Sequence, residues 1–144
     1  MDPGSKDSVL TTALVALQYP TGDDAVTAVE FAIDPAKFRD AVAADLPAAQ
    51  AAVMAATQRP VAERAFSEPS GPPAWASRPS WSVVATGDKA AGADLVRSMA
   101  ERAGATITEA EGSHVIVVSQ PDVVAEVILT AAAAVAPQAA AAGS

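Results

Sequence analysis

Two residues stand where acid–base chemistry could be done. Asp88 follows the apolar run WSVVAT by two residues, in ATGDKAAG, and His114 follows the run ATITE, in EGSH. His114 is the only histidine among the 144 residues. A carboxylate that accepts the Nδ1–H of an imidazole fixes its tautomer and stabilises the imidazolium formed when Nε2 takes a proton. Glycines flank both positions (Gly87, Gly92, Gly112) and permit the tight turns such an approach needs. The plainer reading stays open at this point: a single histidine in a soluble domain is often structural or simply exposed, and a Gly-Asp turn after a strand is common.

The elements needed to bring the two together can be read from the surrounding chain. WSVVAT is a short, continuously apolar, β-branched run, as expected of a strand covered on both faces. Residues 92–103 form a helix with Leu95, Val96, Met99, Ala100 and Ala103 on its inner side, Arg97, Glu101 and Arg102 toward water, and Gly104 at C′. ATITE is the second strand. Strand, helix and strand fit within about 30 residues, the length of a right-handed βαβ crossover. Open α/β sheets bind ligands beyond the carboxyl ends of their strands. Adjacent strands lie about 4.8 Å apart, so Asp88 and His114 can touch if the strands are neighbours. A closing helix starts near Pro121, with Val123, Val124, Val127 and Ile128 on one stripe, and the tail past Pro137 is expected to be disordered.

Before this unit the chain is less explicit. Residues 1–7 are an irregular lead-in. Leu10, Leu14 and Leu17 predict a helix from Asp7 or Ser8 to Tyr19, stopped by Pro20, Thr21 and Gly22. Asp23 and Asp24 read as a solvated turn. Val29, Phe31 and Ile33 alternate with Glu30 and Ala32, predicting a strand over 26–33. Asp34-Pro35 is an N-cap and N1 pair for a helix over 35–44, with Phe38 and Val42 inward. Leu46-Pro47 opens a helix to Thr57 whose large apolar groups are Val53 and Met54, and Arg59-Pro60 opens a third, short helix through Phe66. Proline-rich SEPSGPPAWASRPS is a linker, with Trp75 expected to anchor it. The expected organisation is a single domain: a helical cap-like segment (1–66), a linker (67–80), a βαβα unit (81–136) and a tail (137–144).

Composition narrows the function classes. A net charge of −8 and nine Lys and Arg scattered along the chain give no basic face for a phosphate backbone, so nucleic acid is not an expected partner. With no cysteine, a disulfide framework or thiolate metal site is impossible, and a reducing, cytoplasmic location fits. The N-terminus MDPGSKDSVL lacks the charged and apolar regions of a secretory signal, and no apolar run reaches the roughly 18 residues of a membrane span. One histidine with scattered carboxylates has no metal-ligand spacing, and no glycine-rich loop follows a strand to hold a dinucleotide, so no cofactor is expected.

The stretches ATGDKAAG, MAERAGA and EGSHVIVVSQPDVVAEVI, in that order, resemble the C-terminal part of the α/β-hydrolase superfamily. The look is esterase-like, similar to methyl-ester esterases and hydroxynitrile lyases. Ser113, His114, Ser119, Pro121, Val124 and Ala125 match a Ser-His…Ser-x-Pro-x-x-Val-Ala pattern, while the Pro-started helices and EPSGPPAW look like that family's cap and its return to the sheet. The resemblance covers residues 5–130 and implies a partial α/β-hydrolase fold with Asp88 and His114 as acid and base of a Ser-His-Asp triad. It also implies parts that this sequence does not show. No G-x-S-x-G elbow occurs, and Ser70 and Ser113 lack its flanking glycines. The early His-Gly segment for the oxyanion is missing, and Ala90, Ala91 and Gly92 stand where the family has a proline after the acid.

The expectation that follows is a protein of carboxylic-ester hydrolase ancestry, a piece of that fold inactive as a lone chain because the nucleophile and oxyanion donors lie elsewhere. Its ligand would be a small ester or apolar molecule. The free edge of WSVVAT would invite a second copy or a complementary fragment. The alternative is a non-catalytic remnant that binds a small ligand or a protein through its cap and open edge. A purely structural interaction protein is a third reading.

Overall fold

The computed structural model describes residues 5–22 and 26–136. The expected turn at Asp23-Asp24 and the tail from residue 137 therefore lie outside the described residues.

The first segment is not the helix from Asp7 or Ser8 to Tyr19 that leucine spacing predicts, whereas the strand expected over 26–33 is present. A single helical turn, α1 (Leu10–Ala13), gives way to strand β1 (Leu14–Pro20), which pairs antiparallel with β2 (Thr27–Ile33) from Leu14↔Ile33 to Pro20↔Thr27. The reason lies in a double periodicity. LVALQYP places Val15, Leu17 and Tyr19 at spacing two as well as leucines at three and four, and the adjacent strand supplies hydrogen bonds for its full length. Pro20 falls at the strand end, where its missing N–H costs nothing. Gly22, at φ 93°, takes a left-handed conformation in the connection.

The helix α2 (Pro35–Val42) forms as its cap foretells: the Asp34 carboxylate accepts from the Ala36 N–H at 2.9 Å, and Phe38 and Val42 are buried. Of the two large apolar groups of α3 (Ala48–Thr57), Met54 packs against the core and Val53 is 63 % exposed, while Ala51 and Ala55 are buried. Small side chains at i and i+4 let α3 lie close to α2, with Val53 turned outward. The third helix expected from Pro60 is instead a two-residue strand, β3 (Val61–Ala62), antiparallel to β2, followed by a 3₁₀ turn (Glu63–Phe66). Phe66 meets Phe31 edge to face with ring centres 5.9 Å apart. Such an aromatic pair is a tertiary contact that local pattern does not reveal. The Gln58 side-chain amide closes the end of β2, accepting from the Ile33 N–H and donating to the Ile33 carbonyl, both at 2.8 Å.

The linker carries one 3₁₀ turn (Ala74–Ala76), and the Arg102 guanidinium lies 6.0 Å from the centre of the Trp75 ring. That is the outer range of a cation–π contact. Strand β4 (Trp81–Ala85), helix α4 (Ala93–Arg102) and strand β5 (Thr106–Ala110) then form the expected unit, with β4 and β5 parallel in the register Trp81↔Thr106 to Ala85↔Ala110. Gly104, at φ 63°, ends α4 as its C′ residue, while Met99, expected inside, is exposed. A four-residue helix, α5 (Ile116–Ser119), leads into α6 (Pro121–Val135).

Helices α4 and α6 cover opposite faces of this small sheet. Arg97 of α4 reaches Glu109 of β5 at 2.7 Å. Val123 and Val127 of α6 instead share a groove with Trp81, Thr106 and Thr108, the alternate positions of the strands. Val84 is fully buried between the layers, as a strand covered on both faces requires. Among the described residues no strand pairs with the other edge of β4. Ile128 and Leu129 of α6 are well exposed. No helix among the described residues is long and apolar enough to cross a membrane.

Candidate active site

Parallel pairing sends β4 and β5 the same way, so both end at one side of the sheet. The chain continues from β4 into the loop that carries Asp88 and from β5 into the loop that carries His114. The two loops are tied by backbone: the Thr86 N–H donates to the Ala110 carbonyl and the Gly87 N–H to the Gly112 carbonyl, both at 2.9 Å. Gly87 is required at this approach. A Cβ there would stand 2.8 Å from the Gly112 carbonyl oxygen, inside any tolerated contact with a backbone atom.

This juxtaposition brings the two sequence-predicted residues together. His114 Nδ1 lies 2.9 Å from Asp88 Oδ2, and the side chains are 46 % and 6 % exposed respectively. The acid is thus walled in while the base is half open to solvent. Asp88 Oδ1 is held separately by the Ala91 N–H at 3.0 Å, and the Asp88 carbonyl accepts from the Ala93 N–H at the start of α4. With a carboxylate as acceptor, Nδ1 carries the proton and Nε2 keeps its lone pair. The arrangement can therefore accept a proton at Nε2 and stabilise the resulting imidazolium through a charge-assisted hydrogen bond.

The lead-in and the first helical region hold both loops from outside. The Val9 N–H donates to the Lys89 carbonyl at 2.8 Å, and the Ser8 hydroxyl donates to the Ala90 carbonyl. The Ser5 hydroxyl and the Lys6 N–H both donate to the Asp94 carboxylate, whose pKa lies below its ordinary value chiefly because of the Ser5 hydrogen bond. Gly92, at φ 92°, makes room for this strap, since a Cβ there would collide with the Ser5 side chain. On the histidine side, Asp45, between α2 and α3, accepts from the Ser113 N–H at 2.9 Å and from the Ser113 hydroxyl.

Asp45 was not legible as a site residue. It precedes the Leu-Pro that opens α3, a position that reads as a loop, and its partner lies 68 residues away. Ser113 is legible only as part of the Ser-His pattern. Its hydroxyl is committed to Asp45 and it is buried, which agrees with its lack of an elbow context.

The unit is thus a parallel pair of strands with a helix on each face and an Asp–His pair on the two loops that follow the strands. The model of the alpha/beta hydrolase family matches residues 1–127, and the chain belongs to that family. No curated protein and no solved structure matches it. The expectation of a partial α/β-hydrolase fold with parallel strands holds, although the segment before the linker contains an antiparallel sheet that the sequence pattern does not disclose.

Proposed function

We propose that Asp88 and His114 are the acid and the general base of a Ser-His-Asp triad for carboxylic-ester hydrolysis, working with a serine from polypeptide other than these residues. The observation that carries this is the contact between a buried carboxylate and a half-exposed imidazole on the loops after adjacent parallel strands, with no hydrogen-bond partner for Nε2 among the described residues. In the reaction, Nε2 takes the proton of the serine hydroxyl as its oxygen bonds to the ester carbonyl carbon. The proton then passes to the leaving alkoxide as the C–O bond breaks, and water repeats the sequence on the acyl-enzyme. Asp88 holds the ring and stabilises its cationic form without taking the proton itself.

No G-x-S-x-G elbow occurs in the 144 residues, so the chain alone should show no triad-dependent turnover. The absence of cysteine suits a cytoplasmic setting. The test is complementation: the chain is mixed with an elbow-bearing N-terminal half of an α/β hydrolase, and p-nitrophenyl ester hydrolysis is followed. Activity that disappears with His114→Ala supports the reading; activity indifferent to that change, or none in any mixture, defeats it.

A second reading, a non-catalytic module that associates through its sheet edge and last helix, is favoured by one observation. Ile128 and Leu129 of α6 are 61 % and 69 % exposed, and one edge of β4 pairs with no described strand. Exposed apolar groups and an unpaired edge each invite association. This reading predicts self-association or fragment binding that Leu129→Glu weakens and His114→Ala leaves intact, as measured by sedimentation velocity.

A further inference from the structure

Besides the ring's own bond to Asp88 and the bond from the Gln120 amide to the Glu111 carbonyl at 2.9 Å, the loop that carries His114 has two anchors from elements before it in the chain. One is backbone, from Gly87 to the Gly112 carbonyl. The other comes from 68 residues earlier in the chain, from Asp45 in the connection between α2 and α3, and it takes hold of the residue immediately before the histidine. We propose that Asp45 is a positioning residue for His114: by accepting both the backbone N–H and the hydroxyl of Ser113, it sets the direction in which the imidazole leaves the loop and so its alignment on Asp88. The proposal rests on the Asp88–His114 pairing described above and adds to it a residue of the first helical region.

Three features of the structure support a dedicated contact. Both carboxylate oxygens of Asp45 are used, one for each donor of Ser113, which fixes orientation as well as distance. Ser113 is buried while Asp45 is on the surface, so the carboxylate reaches in to satisfy a group that would otherwise be unpaired away from water. Gly112 is packed beneath the same carboxylate: a Cβ there would lie 3.2 Å from Asp45 Oδ2 and from Ile116. Burial works to raise the pKa of Asp45, and hydrogen bonding, chiefly from Ser113, more than offsets it, so the carboxylate stays ionised through the neutral range. Lys89 and Glu111 line the same shallow cleft and are the other charged groups facing it.

Asp45 is a surface residue, so its removal should loosen the histidine loop without unfolding the chain. The presence of a single histidine makes the test direct, because the imidazole ¹⁵N resonances of the full 144-residue chain need no assignment. In the neutral ring of the wild type the two nitrogens should be well separated, with Nδ1 protonated. Asp45→Ala, and independently Ser113→Ala, should shift both resonances toward the average of exchanging tautomers. Asp45→Asn, which keeps an acceptor for the Ser113 N–H, should shift them less. Melting temperature is followed alongside, since a merely structural contact would lower it and leave the ring signals in place. Unchanged imidazole resonances in Asp45→Ala overturn the proposal, and if that variant fails to fold, unchanged resonances in Ser113→Ala overturn it. Failure of the pairing itself reads differently, because Asp88→Asn would then leave the wild-type signals unmoved. Failure of ester hydrolysis with an intact tautomer shift would fall on the catalytic reading alone.

Discussion

The region from Trp81 to Val135 and the region from Ser5 to Phe66 reach order by different means. In the later region a parallel pair of strands is sandwiched between α4 and α6, and the fully buried Val84 marks a covered sheet. In the earlier one, Phe38, Val42 and Leu46 are packed among Ala13, Ala41, Ala43, Ala51 and Ala55, with Ile33 at the end of β2 against them, while β1 leaves Val15 and Leu17 exposed. Alanines supply closeness of approach more than buried area. The early region consequently depends on a few large side chains and on hydrogen bonds to its neighbour. Those hydrogen bonds fall on the two loops that hold Asp88 and His114, at Lys89, Ala90 and Ser113, and on Asp94 in the first turn of α4. What the comparison teaches is a division of labour: the later region provides the pair, and the earlier one holds the loops in place.

The largest expected effect lies in the later region. In an enzyme reconstituted with a nucleophile segment, Asp88→Asn should lower kcat by about 10⁴-fold, the scale on which loss of the triad acid acts in serine proteases. The measurement is steady-state hydrolysis of a p-nitrophenyl ester, and a loss below tenfold would remove Asp88 from the triad. In the earlier region, Phe38→Ala should cost about 3–5 kcal/mol of stability, because few other large groups fill that core. Urea unfolding would check it, and a cost under about 1 kcal/mol would show that the region is not organised around Phe38.

At the junction, Gly87→Ala should destabilise by about 1–3 kcal/mol through the clash with the Gly112 carbonyl, and it should separate the two loops. A variant as stable as the wild type would contradict the close approach. Smaller still is the effect of acid. The pKa of Asp45 is lowered from the ordinary 3.8, so its carboxylate favours the folded state above that value. This contribution is lost as pH falls through the lower folded value. Glu109, held down chiefly by its hydrogen bond from Arg97, acts with the same sign. Below about pH 4, Asp45→Asn should therefore show a flatter fall in melting temperature than the wild type. Parallel pH curves for the two would contradict the assignment.

How much of this could be read from residues alone follows the same division. The later unit was legible because β-branched runs, a helical stripe and Gly104 at C′ each specify structure within a few residues. The pair Asp88 and His114 was legible because parallel strands bring their following loops to one side. In the earlier region, LVALQYP satisfies helix and strand periods together, and only pairing with the next strand decides between them. The short β3 depends on a contact between Phe31 and Phe66, and the inner face of α3 on how closely α2 approaches. Asp45 depends on a contact with a residue 68 positions later in the chain, which no local pattern carries.

The central claim is that these loops hold His114 Nδ1 against the buried carboxylate of Asp88. Proton NMR of the intact chain tests it most directly, because its single histidine can give only one Nδ1–H signal. The account predicts a low-field, slowly exchanging Nδ1–H resonance in the wild type that is lost in Asp88→Asn. Its absence from the folded wild type, or its persistence in Asp88→Asn, would contradict the account.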